Sequence, residues 1–138
     1  MAHLQRAVAT LRISGDDLLP DEVSGLLGAS ATVSHAKDQE INLPSGRSSI
    51  TKFGIWQLSA ADTEPEDLDS QVAEILGQLT VDLTVWHDLG KRFDIDLFCG
   101  WFLGGSNEGV VTSHQTLLAL GERGIRLGLD IYGPAAGA

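Results

Sequence analysis

Residues 94–103 read DIDLFCGWFL. Ile95, Leu97, Cys99, Trp101 and Leu103 fall on one side of an extended chain, and Asp94, Asp96, Phe98, Gly100 and Phe102 on the other. A period of two is that of a strand, whose successive side chains point to opposite faces. The pattern recurs near both ends of the chain. In AVATLRI (7–13), Ala7, Ala9, Leu11 and Ile13 oppose Val8, Thr10 and Arg12. In IRLGLDIY (125–132), Ile125, Leu127, Leu129 and Ile131 oppose Arg126, Gly128, Asp130 and Tyr132. An aliphatic row backed by a polar and aromatic row is the signature of a sheet covered on one side.

The covering layer is legible in the intervening segments. Pro20 suits a first helical turn, Asp21 and Glu22 complement the helix dipole, and Gly28 is a stop after Val23, Leu26 and Leu27, so 20–27 reads as a short helix. Thr63 with Glu66 is a capping-box pattern before Leu68, Val72, Ile75, Leu76 and Leu79, an amphipathic helical stripe. Thr80 is placed to open a further helix with Val81, Val85, Trp86 and Leu89 on one face, closed by Gly90. Thr112 with Gln115 opens a last helix carrying Leu117, Leu118 and Leu120, ended by Gly124. Residues 31–35 read as a short strand, 37–48 as a loop, and 49–59 as a strand bulged or closely approached at Gly54.

The element order β-α-β-β-α-α-β-α-β implies an α+β sandwich, a mostly antiparallel sheet with helices packed on one face, ferredoxin-like or of a related split βαβ type. At 138 residues the chain fits a single domain, expected to be ordered over about 6–133 with a short flexible tail at Pro134–Ala138.

Nineteen acidic against nine basic side chains give a net charge of −10. Affinity for a phosphate backbone rests on Lys and Arg, so no nucleic-acid partner is expected, and docking on an anionic membrane is disfavoured. No run approaches 18 apolar residues and the start, MAHLQRAVATLRI, lacks the layout of a secretory signal, so a soluble cytoplasmic protein is expected. The one cysteine, Cys99, has no partner for an intramolecular disulfide and reads as a small core residue. His3, His35, His87 and His114 show no metal-ligand spacing, and no GxSxG, P-loop or post-strand GxGxxG occurs. No metal, cofactor or catalytic residue is therefore expected.

The surface chemistry concentrates on the polar side of the strands. If the aliphatic rows meet the helices, the opposite face carries Arg12, Asp94, Asp96, Phe98, Phe102, Arg126, Asp130 and Tyr132. Such a face reads as solvated cross-strand ion pairs, a subunit interface or a ligand site, and two large rings at Phe98 and Phe102 are poor neighbours for water. The acids Asp16, Asp17, Asp21 and Glu22, together with the run 62–69, would form an acidic partner surface if the fold brought them together. Trp56 and Trp101 would line a pocket at the sheet end near Asp96 if that end is open.

SGDDLLPDEVSGLLG (14–28), FGIWQLS (53–59), DLFCGWF (96–102) and LGLDIYG (127–133) resemble a family of small bacterial proteins known only as domain of unknown function 4279. The resemblance runs from about residue 8 to residue 134. It implies a bacterial source and a single α+β domain, and it brings no activity or catalytic residue. One departure is HAKDQE (35–40), where the family often has a basic, Gly-containing stretch. The functional expectation is a non-enzymatic interaction domain, homodimeric, with an acidic surface for a basic protein. The alternative is a small-ligand sensor or enzyme with its pocket near Trp56, Trp101 and Asp96.

Overall fold

The computed structural model describes residues 4–63 and 66–134. Strand β1 (Leu4–Gly15) leads to helix α1 (Pro20–Leu27), then to three short strands, β2 (Val33–His35), β3 (Glu40–Asn42) and β4 (Ser48–Ile50). Strand β5 (Gly54–Ser59) precedes helices α2 (Leu68–Leu76) and α3 (Leu83–Arg92). Strand β6 (Asp94–Leu103), helix α4 (His114–Glu122) and strand β7 (Arg126–Tyr132) complete the order.

Five strands form one sheet in the order β2-β5-β1-β6-β7. β1 is antiparallel to both β5 and β6, and only β6 and β7 run parallel. Since β5 and β6 both oppose β1, the β5–α2–α3–β6 connection joins parallel strands with β1 between them, a split βαβ unit. The β6–α4–β7 connection joins adjacent parallel strands, which require a long crossover. The α+β class and the mostly antiparallel sheet expected from the alternation are both present.

Register explains the core. Ile13 lies between Trp56 and Ile95, and Leu11 between Leu58 and Leu97. Ala9 faces Cys99 and Ala7 faces Trp101. All of these side chains are buried and share one cluster with Val23 and Leu27 of α1, Val72 and Ile75 of α2, Trp86 and Leu89 of α3, and Leu120 of α4. All four helices therefore bury their stripes against the same side of the sheet. The buried indoles of Trp56 and Trp86 keep partners, donating to Ser24 Oγ at 3.0 Å and Thr80 O at 2.9 Å. Gln71, fully buried on α2, donates to Ala7 O at 2.9 Å and Ala61 O at 3.1 Å, tying the helix to the sheet.

Several local expectations change. The 37–48 loop holds β3 and most of the β3–β4 hairpin, and the strand read over 49–59 is broken into β4 and β5. Gly54 is closely approached: a Cβ there would stand 2.8 Å from Leu18 O and 2.9 Å from Gly15 O. Asp67 and Asp82 cap α2 and α3, while Thr63 and Thr80 accept hydrogen bonds from the amides of those capping residues. Ser113 rather than Thr112 caps α4. α3 runs past Gly90 to Arg92, and Val81 stays in solvent. Residues 135–138 of the expected tail, and Glu64 and His3, lie outside the described residues. No described helix is long and apolar enough to cross a membrane.

Candidate functional site: the open face of the sheet

With every helix on one side, no described helix covers the other side of the sheet, and the even-numbered residues of β1 from Arg6 onward, of β6 and of β7 stand on it. Across one row, Arg12 on β1 is opposite Asp96 on β6, which is opposite Arg126 on β7. Arg12 Nε donates to Asp96 Oδ1 at 2.9 Å and Nη2 to Oδ2 at 2.6 Å, a two-pronged pairing of planar groups. The Arg12 guanidinium also lies 4.7 Å from the centre of the Phe98 ring. The hydrogen bonds to Asp96 raise the Arg12 pKa, against the opposing effect of partial burial.

Two rows along, Phe98 and Phe102 flank Gly100, where a Cβ would come within 3.6 Å of one ring and 3.8 Å of the other. Phe102 stacks on Tyr132 of β7, with ring centres 4.7 Å apart and planes 8° from parallel. The Arg6 guanidinium sits 5.5 Å from the Phe102 ring centre, while its Nε donates to Asp62 at 2.6 Å. The Tyr132 hydroxyl donates to Asp130 Oδ2 at 2.7 Å, and that bond and the adjacent negative charge raise its pKa. Of the eight face residues anticipated from alternation, all stand on this side. The rings and Arg12 already have partners within the chain.

A cleft of about 290 Å³ opens at one end of the face, lined by Arg12, Ser14, Phe53, Ile55, Asp94, Asp96 and Arg126. Among the described residues Arg126 and Asp94 form no ion pair. Phe53 and Ile55 escaped the sequence reading because the break before Gly54 hides which side each would take. Arg6 escaped because the first strand begins earlier than residue 7; carrying the alternation two residues back would have found it.

The pocket expected near Trp56, Trp101 and Asp96 is not assembled. Trp56 is fully buried on the helix side, so it drops out of the site. Trp101 is on that side too, but beside Ala7, whereas Trp56 is beside Ile13. Six residues of strand separate those positions by roughly 20 Å. Asp96 is on the opposite face. Trp101 instead borders a separate cleft with Leu103, Asn107, Glu108, Val110 and Ile131.

The two acidic clusters do not merge either. Asp16 and Asp17 follow the Gly15 end of β1, whereas Thr63 pairs with Ala7, eight residues and roughly 26 Å along that strand. Several acids are engaged internally: Glu22 with Arg92 at 2.6 Å, Asp62 with Arg6, and Asp67 as a helix cap. Asp69 accepts from Thr116 Oγ1 at 2.6 Å and from the Ser113 amide at 3.1 Å, joining the first turns of α2 and α4. Those hydrogen bonds, chiefly that from Thr116, hold its carboxyl below the usual carboxylate range.

Cys99 is buried in the core, and burial, with a smaller contribution from the charge of Asp96, pushes its thiol up to about 12. A thiol so protonated is a packing group, not a nucleophile. Among the described residues no group of three His, Cys, Asp or Glu side chains is placed to hold a metal ion. Comparison with curated proteins and with solved structures gives no match. The family model of the domain of unknown function DUF4279 matches residues 5–134, and the chain belongs to that family.

Proposed function

We propose that this protein is a cytoplasmic, non-enzymatic interaction domain whose working surface is the open face of the sheet. The observation that carries the reading is the one-sidedness of the fold: four helices share one face, and the other presents two cross-strand rows, Arg6–Phe102–Tyr132 and Arg12–Asp96–Arg126, of charge and aromatic area. Aromatic and arginine side chains are enriched among the groups that dominate protein contacts, and here Arg6 and Arg12 are already held by ion pairs and ring contacts, which lowers the entropy lost on binding. The net charge of −10 disfavours a nucleic acid as the partner and suits a protein whose basic patches are steered toward the domain, while its contact with the arginine-bearing face is made by aromatic and acidic groups. A lone cysteine, free and buried, suits a reducing compartment.

The test uses the protein as bait in quantitative affinity capture, beside a Phe102→Asp variant and a Leu118→Asp variant on the helix side. Partners retained by wild type and Leu118→Asp but lost with Phe102→Asp support the sheet face. Partners indifferent to Phe102→Asp assign the contact elsewhere, and a bait that retains nothing removes the interaction reading.

One observation favours a second reading, a small-ligand sensor or enzyme. The cleft between Arg12, Phe53 and Arg126 sets the Arg126 guanidinium and the Asp94 carboxylate, neither in an ion pair among the described residues, beside the apolar Phe53 and Ile55, as a site for a small dipolar molecule would. Thermal-shift screening against amino acids and other small zwitterions tests it; a shift abolished by Arg126→Ala supports the cleft, and a flat panel counts against it.

A further inference from the structure

β7 ends the sheet, and among the described residues no strand pairs with its outer side. Seven residues long, it is exposed along its whole length apart from half-buried Gly128. The other edge, β2, has three residues. Unpaired edges are ordinarily kept short or blunted with charged side chains (Lys above all), Pro or a bulge; β7 carries two charges, Arg126 and Asp130, both on the open face. RLGLDIY (126–132) contains neither Lys nor Pro, and its pairing with β6 is regular throughout. On the helix side Leu127, Leu129 and Ile131 are 38%, 47% and 52% exposed, although their neighbours Leu97, Cys99 and Trp101 on β6 are buried. α4, which packs on β7, leaves Leu117 and Leu118 exposed as well.

The order of residues says what fits this edge. Laid antiparallel to a copy of itself about Leu129, the strand sets Leu127 against Ile131 of the partner subunit and Leu129 against Leu129 of the partner subunit. On the open face Arg126 then stands opposite Tyr132 of the partner subunit and diagonal to Asp130 of the partner subunit. Directly opposite and diagonal side chains are those that interact across antiparallel strands. The strand is thus self-complementary in both its apolar and its charged row, as a two-fold contact requires. No one-residue slip preserves this, because such a slip would set aliphatic residues against charged ones.

We infer that β7 is a subunit edge: two copies pair their β7 strands antiparallel about a two-fold axis at Leu129, joining two five-stranded sheets into one of ten strands. The axis stands perpendicular to the sheet, so both open faces lie on the same side. The row Arg6–Phe102–Tyr132 then continues onto Arg126 of the partner subunit, and each copy covers the aliphatic row that the other leaves wet. The inference is independent of the sheet-face reading, since it uses the edge and not the face as the contact.

Analytical ultracentrifugation of the full chain at tens of micromolar tests it, together with cross-linking. Wild type sediments as a dimer, and Leu129→Lys, which sets two like charges opposite each other at an exposed position, sediments as a monomer with unchanged circular dichroism. In a Cys99→Ala background, which removes the thiol lying beside position 129 on β6, Leu129→Cys treated with diamide gives a disulfide-linked dimer at least tenfold faster than Val81→Cys, an exposed control away from the edge. Reversing the charge of Arg126 or Asp130 alone weakens the dimer, and exchanging the two residues restores it; no contact within one strand does this, because the two lie four residues apart. A monomeric wild type overturns the inference. So does a dimer untouched by Leu129→Lys, or equal cross-linking rates at the two cysteine positions. Loss of a captured partner with the dimer intact bears only on the sheet-face reading.

Discussion

Arg12 on β1 and Asp96 on β6 stand directly opposite each other on the uncovered side of the sheet, with the Arg12 guanidinium both forked onto the carboxylate and laid against the Phe98 ring. The arrangement settles what this ion pair contributes. Its side chains are 39% and 24% exposed, so water screens much of the attraction. A double-mutant cycle of Arg12→Ala and Asp96→Ala is expected to give a coupling of about 0.5–1 kcal/mol in low salt, smaller in molar salt. Arg12→Ala is expected to cost more than Asp96→Ala, because it also removes the contact with Phe98, worth about 0.5–1 kcal/mol at such a site. Urea midpoints of the four proteins decide it. Equal single-mutant costs would show that the ring contact contributes nothing.

Glycine at two positions has opposite consequences. At Gly54 an added methyl would meet the Leu18 and Gly15 carbonyl oxygens at 2.8 and 2.9 Å, and backbone cannot turn aside as a side chain can. Gly54→Ala is expected to destabilise by about 1–3 kcal/mol. Gly90 lies inside α3 with open space where its Cβ would be. Gly90→Ala is expected to stabilise by about 0.5–1 kcal/mol through helix propensity. Chemical denaturation of both variants checks the signs, and a neutral Gly54→Ala would mean that the β1–α1 turn gives way more readily than its packing suggests.

The strands were the most legible part of this chain, for a physical reason. A strand buried on one side must alternate, and the alternation of 7–13 and 94–103 identified correctly which side of each lies under the helices. The hairpin of β3 and β4 was illegible because it lies outside the core: with Glu40, Asn42, Ser48, Ser49 and Ile50 all exposed, burial imposes no period. Caps were displaced by a few residues because a Thr and an Asp near a helix start can each accept an amide, and only the path of the chain chooses between them. The face residues were found as a set, since a shared side follows from alternation alone. Their pairing was not, because Arg12 with Asp96 and Phe102 with Tyr132 depend on strand order and register. Without strand order and register, the sequence does not separate Trp56 from Trp101 or one acidic cluster from the other.

Cys99 offers a probe of opening. With its thiol buried and raised to about 12, the thiolate fraction at pH 8 is roughly one in ten thousand. Ellman's reagent added to the native protein is expected to react only as fast as the core opens, and at once in denaturant. The labelling rate should follow the unfolding rate as urea is added. Rapid labelling in buffer would contradict a core position for the thiol.

Asp69 makes stability depend on pH in a definite direction. The Thr116 hydroxyl and the Ser113 amide hold its folded pKa below the unfolded value of roughly 3.9. A depressed carboxyl contributes stability that is complete above the unfolded pKa and is lost as pH falls through the folded one. Asp69→Asn retains the shape but not the charge, and replaces an acceptor oxygen with an amide. It is expected to cost about 1 kcal/mol near neutral pH, a modest figure because the carboxylate is only half-buried. The gap between wild type and variant should then close as the pH is lowered below about 4. Urea midpoints of the two proteins across that interval test it. A gap that persists undiminished in acid would mean that the cost of Asn comes from its amide group standing in place of a carboxyl oxygen and not from the lost charge.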